Sequence, residues 1–309
     1  MVLSAVQERL APWRAWLFPR RVCLEIQDQA LTALALEGST IAWVETLPLP
    51  EGVLVKAWPQ QAEALGDLIG DWLIERGYPG ARLRAVLPWG ASGWRRLQWP
   101  ESAAAQPLGE LLPPDLGAEA FGAPLDQLDL CVHPLEGKRE ALLLGARTDL
   151  LEAWIDVFAQ AGLALDGLEA AGVCCARLAT VAQVPSVLFA EADQCWLLQL
   201  SHGVPRWQWR LPGPTQLPDL TAELELALAY ARRQDPAVGM SPLGLVLSGA
   251  CVEQREALLP ALEGVASAGG LPIDPVAAGA WSAPAGSALN GPNDRLGLLW
   301  GLAMAELTP

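Results

Sequence analysis

The sequence predicts an α/β fold made of two related halves, and three observations carry that expectation. Residues 141–170, ALLLGARTDLLEAWIDVFAQAGLALDGLEA, read as strand, helix, strand. Each half of the chain opens with a meander of short strands and then alternates strands with helices, which points to two related lobes facing each other across a cleft. At 309 residues the chain is long enough for two ordinary domains with sizeable cores.

The first half begins with strands at Val22–Ile26 and Leu31–Leu36, joined by a tight turn at Gln27–Gln29, and a third at Thr40–Thr46. Pro48–Gly52 reads as a linker. A helix over Pro59–Gly77 presents Ala64, Leu65, Leu68, Ile69, Trp72 and Leu73 on its apolar side. Strands follow at Leu83–Leu87 and Trp94–Trp99, each stopped by proline, then a loop with short helical turns over 101–124 and a strand at Leu128–His133. In the 141–170 unit, Leu142–Leu144 is a buried strand. Asp149 is placed to cap the next helix, with Glu152 as capping-box partner. Leu151, Trp154, Ile155 and Phe158 form its apolar face, Gly162 its left-handed terminator, and Leu163–Leu168 the returning strand. A helix over Gly172–Val181 ends this half.

The second half has strands at Val187–Ala190, Cys195–Leu200 and Pro205–Leu211, the last two joined by a His202–Gly203 hairpin turn. Pro212–Pro218 is a connector. Helices are expected over Ala222–Arg233, Glu253–Leu262 and Arg295–Leu307, strands over Gly244–Leu247 and Leu271–Ile273, and a loop over Ala277–Pro292.

Composition excludes several functions. A net charge of −15 argues against nucleic-acid binding. Two histidines, His133 and His202, nearly exclude a histidine-rich metal site. The six cysteines form no C-x-x-C pair and read as buried thiols of a cytoplasmic protein. No stretch has the apolar length of a membrane span, and no signal peptide is evident. The 14 tryptophans read as compositional bias and packing more than as a ligand site. Residues 1–21 differ: Arg9, Arg14, Arg20 and Arg21 against Glu8, with Trp13 and Trp16 on an apolar face, suit a membrane interface. A helix packed on the domain edge, or a frayed terminus, fits the same residues.

No single motif decides the family, but several in order do point to one. LPLPEGVLV at 47–55, Ala85–Pro88 with Trp94–Pro100, Leu144–Leu163, Gly203–Leu211, Glu223–Tyr230 with Leu245–Gly249, and Arg295–Ala305 resemble successive segments of the PilM-type proteins of type IV pilus assembly. These are relatives of FtsA with the actin-like fold. The resemblance implies a segment at 1–21, a first lobe over 22–181 with an inserted subdomain at about 48–145, and a second lobe over 182–309 with a reduced subdomain.

In that fold two D-x-G hairpins hold ATP phosphates, and glycine lets backbone N–H groups approach. Here the first hairpin reads Glu25–Ile26–Gln27–Asp28–Gln29 and the second falls near Phe189–Asp193, with Glu191 and Asp193 and no glycine. The glycine pair beside adenosine reads Gly249–Ala250, and only a short connector stands where the clamping subdomain is normally inserted. The expectation is a pseudo-ATPase with no catalytic residue, no metal and no cofactor. The alternative is an active ATPase or kinase holding Mg-ATP through Asp28 with Asp193 or Glu191. By resemblance, the chain works at the inner face of the cytoplasmic membrane. There it would hold the cytoplasmic tail of a single-pass, PilN-like partner in a groove formed by residues 48–145, and contact pilus assembly ATPases. The related cytoplasmic domain of a type II secretion component is a further alternative.

Overall fold

Val22, Leu24 and Ile26 alternate with Cys23, Glu25 and Gln27, and this period of two is kept in strand β1 (Arg21–Gln27) of the computed structural model. The structure describes residues 20–37, 40–99, 111–135, 139–191, 193–234, 243–247, 254–269, 273–275 and 297–305. Contacts divide it into two units, residues 1–38 with 43–170, and 39–42 with 171–309. The sequence reading ended the first lobe at 181; by contacts the helix Ala171–Ala182 belongs with the second unit.

In the first unit β1, β2 (Ala30–Glu37) and β3 (Thr40–Pro48) form the expected meander. A two-stranded pair, β4 (Leu54–Val55) and β5 (Trp58–Pro59), follows the expected linker Pro48–Gly52, where the sequence reading placed no strand. Helix α1 (Ala62–Glu75) leads to β6 (Arg82–Leu87), parallel to β1. The chain then builds a separate three-stranded sheet from β7 (Ser92–Gln98), β8 (Leu128–Pro134) and β9 (Glu140–Arg147), in the order β7-β9-β8, with helix α2 (Leu116–Phe121). Helix α3 (Thr148–Gln160) returns it to β10 (Ala164–Ala170), parallel to β6. The main sheet runs β10-β6-β1-β2-β3.

Leu24, Ile26, Leu31, Ala33, Leu83 and Ala85 meet Leu65, Ile69, Leu73, Trp154, Val157 and Phe158 from α1 and α3 in one apolar core. Gly66 and Gly70 let the two helices approach: a Cβ on Gly66 would lie 2.8 Å from the Val157 carbonyl oxygen. Two sequence expectations are corrected in α3. The buried residues are Leu150, Trp154, Val157 and Phe158, while Ile155 is 49% exposed. The apolar side chains span more of the helix than one stripe, so their spacing alone did not fix which side meets the sheet. Arg147, not Asp149, is the N-cap residue; Asp149 sits in the first turn and accepts from the Leu150 N–H at 2.9 Å. No capping box with Glu152 forms, because the helix starts two residues earlier than that motif requires. Gly162, at φ 68°, is the left-handed terminator expected.

The second unit repeats the plan. β11 (Ser186–Ala190), β12 (Gln194–Ser201) and β13 (Val204–Pro212) form a meander, and His202 (φ 53°) with Gly203 (φ 76°) makes the two-residue turn. β14 (Leu243–Leu247) runs parallel to β11, and β15 (Ile273–Pro275) parallel to β14. The order β13-β12-β11-β14-β15 matches β3-β2-β1-β6-β10 strand for strand. Helix α4 (Ala171–Ala182) starts the unit, and α5 (Leu217–Gln234) begins five residues before the expected start. Helix α6 spans Arg255–Gly269 and α7 Gly297–Met304. α5 and α6 share a core with Leu188, Cys195, Leu197 and Leu245 on one face of the sheet. On the other, a Cβ on Gly297 of α7 would lie 2.2 Å from a Val246 methyl.

Trp72, Trp89, Trp94, Trp154 and Trp300 are buried, in keeping with a packing role. Trp43 packs edge-on against Trp72 (6.0 Å) and Tyr78 (5.3 Å), and Arg20 lies over the Tyr78 ring. Burial first, and the Glu37 carboxylate second, push the Tyr78 phenol up to about 12. A folded pKa above the unfolded value of about 10 leaves stability undiminished below pH ~10 and erodes it as pH rises toward 12. The chain has two tyrosines, so a Tyr230→Phe variant isolates Tyr78 in an ultraviolet alkaline titration. The expected midpoint is near 12 while the chain stays folded; an ordinary phenol midpoint would disprove it.

Candidate functional site

The β1–β2 hairpin carries the first of the degenerate nucleotide positions. Its ladder closes at Gln27 opposite Ala30, leaving Asp28 and Gln29 as the turn. Glu25 is 1% exposed, opposite Thr32 on β2. The Gln27 amide donates from Nε2 to Glu25 Oε1 at 2.8 Å, so the long side chain that stands in place of glycine folds back onto the acid two residues before it.

Asp28 is committed elsewhere. Its Oδ1 accepts from the Ala57 N–H at 2.7 Å and its Oδ2 from the Lys56 N–H at 3.1 Å. Lys56 and Ala57 form the β4–β5 turn and both have positive φ, 51° and 66°. That left-handed geometry strains non-glycine residues, and the two carboxylate bonds hold it. The Ala57 carbonyl in turn accepts from Trp154 Nε1 at 2.9 Å inside the core. A continuous set of bonds therefore runs from the hairpin tip through the β4–β5 turn to α3. Sequence reasoning found Asp28 but missed its partners, since backbone amides about 30 residues away leave no side-chain signal.

Arg147, the last residue of β9, joins three elements. Its guanidinium pairs with Asp149 at 3.0 and 2.6 Å and lies over the Trp58 ring of β5. That ion pair is the main cause holding the Asp149 carboxyl below its usual range. The group is exposed, so the pair stabilises little and serves orientation. Within the three-stranded sheet Arg96 and Glu140 pair across β7 and β9. Gly93 and Gly145 stand opposite each other there and leave room for Phe121 of α2; a Cβ on either would fall within 2.9 Å of its ring. These elements lie in the region 48–145 where the resemblance puts the groove.

In the β11–β12 hairpin the Glu191 N–H donates to the Gln194 carbonyl at 2.9 Å, and Glu191 Oε2 accepts from Gln194 Nε2 at 2.7 Å. Asp193 is exposed, and its backbone lies so close to Gly213 that a Cβ there would come within 2.4 Å. Gly249 and Ala250, and the membrane-facing candidates Trp13, Arg14 and Trp16, lie outside the described residues. Among those described, no group of three His, Cys, Asp or Glu side chains is placed to hold a metal ion. None of the described helices is long and apolar enough to cross a membrane.

The repeated strand order and the three-stranded insertion between β6 and α3 invite comparison with solved structures. PilM in the PilM–PilN type IV pilus biogenesis complex superposes with a TM-score of 0.71 at 20% identity, covering 94% of this chain and 99% of that one. The fold is that of PilM. It is the actin-like fold expected from the sequence, present over nearly the whole chain. The cytoplasmic domain of EpsL, an inner-membrane component of the type II secretion system of Vibrio cholerae, superposes with a TM-score of 0.51 at 13% identity, covering 94% and 95% of the two chains. The ethanolamine utilization protein EutJ from Carboxydothermus hydrogenoformans gives 0.50 at 10%, covering 93% and 89%. No family model and no curated protein sequence matches the chain.

Proposed function

We propose that this PilM-like chain is a non-catalytic scaffold of a type IV pilus or pilus-like machine, competence systems included. It sits at the inner face of the cytoplasmic membrane and holds the cytoplasmic tail of a PilN-like partner in a groove of residues 48–145. It also meets the assembly ATPases. The observation that carries this reading is the end-to-end likeness to PilM, seen in complex with PilN. An extended tail would be held by main-chain pairing and by pockets for alternate side chains.

The pseudo-ATPase part draws support from the hairpins. Gln27 is folded onto Glu25, and both Asp28 oxygens are used by backbone amides. Glu191 is turned onto Gln194. Each lost phosphate contact costs about 1–3 kcal/mol, against about 8 kcal/mol for micromolar affinity. Losing several leaves little binding.

Co-expression of the full chain with its partner is expected to give co-purification that is lost when the partner's tail is deleted. Co-purification without the tail sinks the groove. A micromolar nucleotide at millimolar concentration would stabilise the chain by about 4 kcal/mol, so thermal-shift titration with Mg-ATP is decisive. A flat response is expected, and a saturable rise sinks the pseudo-enzyme. The likeness to EpsL supports a type II secretion scaffold as a second reading; which machine's tail is retained separates the two.

A further inference from the structure

We infer that Asp28 is a positioning residue for the partner's tail: its carboxylate fixes the β4–β5 turn so that the turn presents Val55 to the tail. This inference rests on the groove reading above, and it names where in residues 48–145 the tail makes contact. Lys56 and Ala57, the two residues between Val55 and Trp58 in the ladder, have φ of 51° and 66°. A two-residue hairpin loop with both φ positive is of type I′, which prefers Asn-Gly and which a Lys-Ala pair does not favour. Among the described residues they are the only adjacent non-glycine residues with positive φ. Such strain persists only where the surroundings impose it, and it gathers at ligand clamps and switch regions.

The surroundings that impose it are specific. Asp28 accepts from the Ala57 and Lys56 amides at 2.7 and 3.1 Å, and its neighbour Gln29 accepts from the Leu49 N–H at 2.8 Å. The tip of the β1–β2 hairpin therefore grips residues 49–57 at both ends. Two strands of two residues each have little stability of their own, so this grip decides their shape. Leu54, 4% exposed, enters the main core. Val55 lies opposite Trp58 in the ladder, so their side chains share the other face of the pair. Val55 is 48% exposed there, and the Arg147 guanidinium covers the Trp58 ring beside it. An apolar side chain of an extended tail fits against Val55, as in other pockets that take alternate side chains. Opening the turn would take Val55 out of register with Trp58 and break up that face.

The probe is the cytoplasmic tail of the co-purifying partner, made as a fluorescent peptide and titrated into the full chain. Amide hydrogen exchange over residues 53–60 is followed in the same proteins without peptide. Asp28→Ala is expected to speed that exchange and to weaken the peptide about tenfold or more. Asp28→Asn keeps one acceptor oxygen, should fall between, and stands in for Asp28→Ala if that variant does not fold. Adding Lys56→Asn and Ala57→Gly to Asp28→Ala supplies a pair that takes the turn unaided, and should restore both slow exchange and affinity. Val55→Ser should weaken the peptide while exchange over 53–60 and melting stay unchanged, which separates a contact from a loss of fold. Unchanged exchange in Asp28→Ala, weakened binding that the turn pair does not restore, or full affinity in Asp28→Ala or Val55→Ser would each overturn the inference. A wild-type chain that does not bind the peptide sinks the groove reading and takes this inference with it; binding that ignores the variants sinks this inference alone.

Discussion

Trp154→Ala is expected to lower the stability of the first unit by about 3–5 kcal/mol, a large share of the roughly 5–15 kcal/mol that holds a domain together. Trp154 is fully buried, stacks on Phe158 at 5.3 Å, and belongs to the core between α1, α3 and the main sheet. Truncation leaves a large cavity and also removes the indole bond to the Ala57 carbonyl. That second loss releases the strained β4–β5 turn, so exchange at Lys56 and Ala57 should speed up. Trp154→Phe keeps most of the volume and loses the N–H, so it should cost less, while still loosening the turn. Denaturant unfolding of the three proteins checks the order wild type, Phe, Ala. Equal stability of the Ala variant, or an unaltered turn in both, would break the link drawn here between helix core and hairpin.

Gly301→Val is the counterpart in the second unit, with an expected cost of about 3 kcal/mol or more. An ideal Cβ on Gly301 would sit 2.5 Å from the Cys174 carbonyl oxygen and 2.8 Å from its carbonyl carbon. These are backbone atoms of α4, so no side-chain rotation relieves the clash and the helices must part. Arg177 of α4 donates to the Gly301 carbonyl, and parting the helices breaks that bond as well. Leu226→Ala, at a site 71% exposed, serves as control and should stay within about 0.5 kcal/mol of wild type. A Gly301→Val protein as stable as the control would mean that α4 and α7 are not in backbone contact.

The strands were readable because turns and alternation are local. Asp28–Gln29 and His202–Gly203 mark hairpins whichever way the rest of the chain folds. Even where the meanders end could be seen, since Pro48 and Pro212 close β3 and β13. The α3 face was misread because six large apolar residues, Leu150, Leu151, Trp154, Ile155, Val157 and Phe158, spread over more than one stripe, and only the sheet beneath chose Val157 over Ile155. The β4–β5 pair was missed because two-residue strands have no period to detect.

The nucleotide hairpins divide along the same line. The missing glycine at Gln27 is a fact of sequence, and it raised the question of a lost phosphate site. What Gln27 and Asp28 do instead depends on a buried acid two residues away and on amides some 30 residues away. By itself, then, the sequence determined the α/β class, the duplicated strand plan and the degenerate hairpins, because periodicity and turn chemistry act between near neighbours. Tertiary structure alone decided which helix faces are buried, where Asp28 spends its carboxylate, and which glycines let helices meet. Those outcomes depend on which distant segments meet, and no local pattern encodes that.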